Sequence, residues 1–149
     1  MKKSVGIPVL ALAGLGLLAN QTAGQTKAPA APVVWPAADI QWVDNPAIAG
    51  AKVAVLWGHP KVGRYGALKK LPAGGAMPLH THTHDQHVVV LSGSIVLALE
   101  GSAPKELGPG SYAFIPGGHK HTADCKAGAD CVYLEEQPGL SDIKFAAKK

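Results

Sequence analysis

From residue 39 onward, short apolar or alternating runs recur along this chain, each cut off by Gly or Pro within a few residues. They lie at 52–57, 65–71, 86–91, 94–99, 111–115, 119–124 and 131–137, with a short last one at 143–145. Between them stand Gly58-His59-Pro60, Pro72-Ala73-Gly74-Gly75, Ser92-Gly93, Gly108-Pro109-Gly110 and Pro116-Gly117-Gly118. No long helical periodicity runs through this region. Short strands at such spacing bury their apolar faces by closing on themselves or by packing sheet on sheet. The fold class predicted is therefore all-β. The unbroken apolar stretch Val88-Val89-Val90-Leu91 suits a strand covered on both faces.

The residues before this rhythm are of another kind. Met1-Lys2-Lys3 leads into an apolar run over 5–19, followed by Asn20-Gln21-Thr22-Ala23-Gly24-Gln25. A basic start, a short apolar stretch and a small-residue exit are the parts of a secretory signal peptide. Residues 1–24 are read as one, with cleavage after Gly24 and with Ala23 or Ala28 as neighbouring alternatives. The apolar run contains Pro8 and is shorter than the roughly 20 residues of a membrane span. A retained anchor is the alternative, but no stable membrane insertion is expected after cleavage. No Cys lies near the exit to accept a lipid. Residues 25–38, rich in Ala and Pro, read as an extended linker, and 39–149 as a single domain. The expected location is periplasmic or secreted.

Loss of Lys2 and Lys3 with the leader would lower the formal charge of +4 by two. The remaining basic residues are scattered, with no stripe interleaved with aromatics, so nucleic acid is not an expected partner. Cys125 and Cys131 flank a Gly-containing loop. In an oxidising compartment such a pair closes a small disulfide; free thiols or metal ligands are the competing reading. A loop this short would pin local geometry and stabilise the fold by about 2 kcal/mol at best.

Chemistry concentrates in the histidines. Six of the seven fall in two groups, His80-Thr-His82-Thr-His84-Asp-Gln-His87 and His119-Lys-His121. Side chains two apart on a strand share a face, so His80 and His82 can converge on one point. A His pair on one strand, with another His far along the chain, is the arrangement a metal site inside a barrel requires. A surface His-rich tract that takes up metal loosely is the bland alternative. No Ser-His-Asp set, phosphate-binding glycine loop or dinucleotide fingerprint is present.

Two segments carry a family resemblance. Gly74-x5-His80-x-His82-x3-Gln86-x6-Gly93 resembles the first cupin motif, whose Gln86 position is normally Glu. Gly110-x5-Pro116-x-Gly118-x2-His121-x3-Cys125 resembles the second, whose Cys125 position is often Asn. The resemblance implies a cupin-type double-stranded β-helix, or jelly-roll barrel, with one divalent transition metal held inside by four side chains. Carried over, these are His80, His82, His121 and Gln86; Fe, Zn, Mn, Ni and Cu are not distinguished. Gln86 departs from the pattern. A neutral amide leaves the ion its full charge, favouring an anionic ligand or an acidified bound water, and Gln86→Glu is expected to tighten metal binding. Gln86 can also stay off the metal and only hydrogen-bond a ligand or water. If Gln86 faces inward, alternation turns His87 outward; a bulge would exchange them and make His87 the ligand.

Elsewhere, His84 and His119 are read as exposed or partly exposed. Asp85 is read as a turn residue, with a base at the barrel mouth as its alternative. Glu135-Glu136 is read as a solvated strand end. Tyr65, Tyr112, Phe114 and Tyr133 are read as packing residues or cavity lining. Trp35, Trp42 and Trp57 are read as covering the barrel or a dimer contact, and Gly74, Gly93, Gly110 and Gly118 as tight corners. Catalytic residues cannot be assigned, because the fold supports many chemistries. The resemblance implies a small-molecule metalloenzyme of dioxygenase, isomerase or lyase type. The alternatives are a non-catalytic module for a metal or small anion, and a metal-free structural barrel. A homodimer is expected from the resemblance alone.

Overall fold

A computed structural model describes residues 31–147, and the leader read at 1–24 lies outside them. Within the described residues, one compact unit begins at Trp35. A single 3-10 turn at Ala37–Asp39 precedes eleven strands, and among the described residues there is no α-helix. The strands are β1 (Val43–Asp44), β2 (Lys52–Gly58), β3 (Tyr65–Leu71), β4 (Ala76–Thr81), β5 (Gln86–Ser92), β6 (Ile95–Leu99), β7 (Lys105–Leu107), β8 (Tyr112–Ile115), β9 (His121–Cys125), β10 (Cys131–Gln137) and β11 (Lys144–Phe145). They form two sheets, in the orders β1-β2-β3-β10-β5-β8 and β11-β4-β9-β6-β7. Every pairing is antiparallel. The all-β jelly-roll reading stands.

Alternation decides what each strand buries. On β5, Gln86, Val88 and Val90 are buried while His87 and Leu91 face out. On β10, Cys131, Tyr133, Glu135 and Gln137 all point inward. On β9 the inward set is His121, Ala123 and Cys125. The inner faces of both sheets share one apolar cluster that includes Leu71, Val88, Val90, Ile95, Leu97, Ile115, Ala123 and Tyr133. The sequence pattern does not mark three of these strands, β1, β4 and β7. Pro78 interrupts the apolar pattern of β4, and the other two are only two or three residues long.

The four motif glycines all adopt positive φ, as their corner role requires. Gly93 is the most constrained, because a Cβ there would come within 2.8 Å of Cys131 Cα and Sγ. Cys125 and Cys131 are joined by a disulfide. Trp57 lies across Gly66, and Lys70 Nζ sits 4.7 Å from the centre of the Trp42 ring. Tyr112 and Phe114 do not line the interior. They are exposed on the outer face of β8 beside His87, because inward-facing Ile115 fixes the phase of that strand.

Candidate metal centre

His80 lies near the end of β4, His82 just beyond it, and His121 opens β9, the strand paired with β4. The register sets His80 directly opposite His121. The ring centroids of His80 and His121 are 4.2 Å apart, and that of His82 is 5.0 Å from the first and 5.5 Å from the second. One nitrogen from each ring lies within 4.8 Å of the other two, a grouping able to hold a metal ion.

The backbone fixes which nitrogen each ring offers. His80 Nδ1 meets the Pro78 carbonyl at 2.6 Å, His121 Nδ1 meets the His119 carbonyl at 2.9 Å, and His82 Nδ1 meets the Asp142 carbonyl. A carbonyl only accepts, so each Nδ1 carries the proton and each Nε2 keeps a lone pair. Burial holds all three imidazoles below their ordinary value of 6.5, against the opposing pull of these carbonyls. They are neutral at pH 7, the form that binds metal.

The opposite sheet contributes a second polar group. Glu135 is 4% exposed and carries four donors. Its Oε1 accepts from the Tyr65 hydroxyl at 2.9 Å and from Gln137 Nε2 at 3.0 Å, and forms an ion pair with Lys69 Nζ at 3.1 Å. Its Oε2 accepts from Gln86 Nε2 at 3.0 Å. The donors sit on β3, β10 and β5, three adjacent strands of one sheet. Burial pushes the Glu135 carboxyl upward, but the Lys69 charge, the Tyr65 hydroxyl and His82 together bring it below the usual carboxylate range. Burial and then the Glu135 charge raise both Tyr65 and, mainly through burial, Tyr133, so both remain phenols.

The three histidines, Gln86, Glu135, Lys69 and Tyr133 line one cavity of about 200 Å³. Its remaining wall is largely apolar, including Met77, Val90, Leu97 and Ile115. Gln86 is 3% exposed, and its Oε1 is buried without a hydrogen-bond partner.

Glu135 is not the solvated strand end that the sequence suggests, and Lys69, to which the sequence assigns no role, is its ion-pair partner. Both are inward by strand phase: Glu135 follows Cys131 and Tyr133, and Lys69 follows Tyr65 and Ala67. His87 is exposed and its Nδ1 lies 2.8 Å from the Tyr112 hydroxyl, outside the cavity. Asp85 accepts from the Gly117 amide at 2.8 Å, a loop tie consistent with its turn reading. His84 is half-buried against Gly139 rather than fully exposed.

Residues 20–138 match the model of a family described as a domain of unknown function, DUF4437. A 51-residue stretch is 39% identical to dimethylsulfoniopropionate lyase DddQ from Ruegeria pomeroyi, covering 34% of this chain and 25% of the lyase. The solved structure of that lyase superposes with a TM-score of 0.61 at 22% identity, over 73% of this chain and 62% of the lyase chain. Polyketide cyclase RemF from Streptomyces resistomycificus gives a TM-score of 0.67 at 22% identity, over 80% of this chain and 88% of the cyclase. A cupin-2 domain from Rhodospirillum rubrum gives 0.62 at 18% identity, over 79% and 81% of the two chains. These likenesses show the cupin fold.

Proposed function

The chain belongs to the DUF4437 family and has the cupin fold, and on that footing we propose that it is an exported metalloenzyme acting on a small anionic molecule inside its barrel. The observation that carries this reading is one cavity in which three imidazoles each bring a ring nitrogen within 4.8 Å of the other two and a buried amide oxygen, Gln86 Oε1, lacks any hydrogen-bond partner. An orphaned acceptor in the wall of the same cavity fits a fourth metal donor. His80, His82, His121 and Gln86 would hold one divalent transition metal; when bound, it supplies Lewis acidity to a ligand oxygen.

The chain's own residues do the rest. All four donors are neutral, and the buried charges of Glu135 and Lys69 balance each other, so the loaded cavity is cationic. That charge selects an anionic ligand, while the apolar wall excludes water and accepts a small hydrocarbon body. With four donors and a depressed pKa, Glu135 is a weak proton acceptor. It orients its neighbours and leaves proton transfer to the ligand's own groups.

Lyase or cyclase chemistry, as in the names of DddQ and RemF, is supported over dioxygenase chemistry by those likenesses alone. The disulfide supports an oxidising compartment, as does the leader pattern of residues 1–24, with residues 25–38 as the linker to the barrel. The saturation of Glu135 favours a second reading, a binding module without turnover.

The test is elemental analysis of untagged protein purified from its own exported fraction. Incubation of the loaded protein with a panel of small carboxylates, dimethylsulfoniopropionate included, follows, with His121→Ala as control. About one equivalent of a single transition metal and a product absent from the control support the enzyme. Tight ligand binding without product supports the module. Sub-stoichiometric, mixed metal that washes out defeats both.

A further inference from the structure

The first-motif carboxylate missing from position 86 has a counterpart on another strand. We propose that Glu135 is a positioning residue that fixes the Gln86 side chain, so that the amide oxygen and not the amide nitrogen faces the metal position. This rests on the metal-centre reading above and adds the reason Gln stands where the motif has Glu.

An amide has two nearly isosteric orientations, and only its hydrogen-bond partners choose between them. Here the choice is forced. Gln86 Nε2 donates to Glu135 Oε2 at 3.0 Å, and the reverse orientation would set the amide oxygen against a carboxylate oxygen at that distance. Glu135 is itself immobilised from two neighbouring directions. Tyr65 and Lys69 reach it from β3, and Gln137 reaches it from two residues along its own strand. The carboxylate is thus a fixed acceptor inside the barrel, 4% exposed, and Gln86 answers to it.

The same contact explains why the motif Glu is absent. A carboxylate at position 86 would face the Glu135 carboxylate across the span now bridged by an N–H. Like charges at that range share a proton or push apart. Gln86→Glu, expected from sequence to tighten metal binding, loses that advantage while Glu135 remains. The gain is recovered only if the two groups exchange places, with Glu at 86 accepting from an amide at 135.

The experiment titrates apo protein with zinc ion against a competing chelator, with cobalt(II) absorption as a second readout of the donor set. Glu135→Gln should bind zinc tenfold to a hundredfold more weakly, the range typical of groups that orient metal ligands, with an altered cobalt spectrum. Glu135→Gln/Lys69→Met should do the same without stranding a buried lysine, which separates loss of orientation from loss of fold. The exchange variant Gln86→Glu/Glu135→Gln should return affinity to at least the wild-type level, and Gln86→Glu alone should fall below it. The inference is overturned if both Glu135 variants keep wild-type affinity and spectrum, or if Gln86→Glu alone binds as tightly as the exchange variant. Wild-type protein that takes up neither ion overturns the metal-centre reading, and this inference with it.

Discussion

The interior of the barrel has two ends built by the same strands with opposite contents. Strand β10 begins inward with Cys131 and Tyr133 and finishes with Glu135 and Gln137; β5, running the other way, begins with Gln86 and finishes with Val88 and Val90. Strand β9 starts at His121 and ends at Cys125. One end is therefore apolar and tied by the Cys125–Cys131 disulfide, with Leu71, Val90 and Ile95 packed around it. The other gathers three imidazoles, two amides and an ion pair. Burial of apolar surface stabilises the first by roughly 25 cal/mol per Å². The second gains little, since each buried polar group must recover its lost hydration from partners. The apolar end provides the stability on which a chemically useful but costly polar end can be built.

That division is most sharply tested by His121→Ala. It should abolish stoichiometric metal uptake in a chelator competition, a greater loss than any change outside the ligand set, and His82→Ala should do likewise. His84→Ala should leave uptake unchanged. If instead His84→Ala strips the metal and His121→Ala does not, the chemistry belongs to a surface tract and the two ends do not differ in function.

Next in size is Lys69→Met. Removing one partner of a buried pair leaves the other charged and unpaired, typically at a cost of about 3–5 kcal/mol, here to the 3.1 Å contact with Glu135. Denaturant unfolding of the apo protein measures it. Lys69→Met/Glu135→Gln should recover most of that loss, because a neutral pair needs less solvation than a stranded carboxylate. A single variant as stable as wild type would mean that Glu135 is adequately held without its lysine.

The sequence revealed these two ends unequally. His80, His82 and His121 were legible because the two-residue spacing on a strand and the motif distances both point to one place. Glu135 and Lys69 were not, although the signal existed. Cys131 and Tyr133 carry the inward phase of β10, and that phase continues to Glu135 and Gln137; Tyr65 and Ala67 do the same for Lys69. The usual preference of charge for solvent outweighs strand phase in the reading of Glu135, and beyond that phase nothing in the sequence singles Lys69 out from the other lysines. Phe114 failed in the reverse direction, an aromatic assigned to packing although Ile115 beside it holds the inward position. The Glu135–Gln86 contact could not have been found locally, since it joins strands 49 residues apart in sequence.

The pH dependence of stability should belong to the metal end. The folded imidazoles of His80, His82 and His121 titrate below 6.5, chiefly through burial, so beneath that pH the unfolded chain binds more protons than the fold. Apo stability should therefore fall as pH drops from about 6.5 through the folded values. Glu135 adds a second decline: burial alone would raise its carboxyl, but Lys69, Tyr65 and His82 hold it below 4.5, so its contribution is present above that value and lost as pH falls through the folded one. Thermal unfolding of the apo protein measures the first stage between pH 7 and 5 and the second as the pH is carried on below 4.5. His80→Phe should flatten the first stage. An unchanged profile in that variant would place the titrating groups elsewhere.

The smallest effect should come from the disulfide. Its half-cystines are six residues apart, and a loop that short limits the unfolded chain by about 2 kcal/mol in the chain-entropy treatment. Cys125→Ser/Cys131→Ser should lower the melting temperature modestly while leaving zinc affinity and the pH profile where they were. The two half-cystines face Ile95 and Leu71 in the strand registers, not the histidines. If the ends are independent, reduction softens one without touching the other. Loss of metal on reduction would show the opposite, that β9 and β10 transmit the bridge along their length to His121 and Glu135, making the apolar end part of the site.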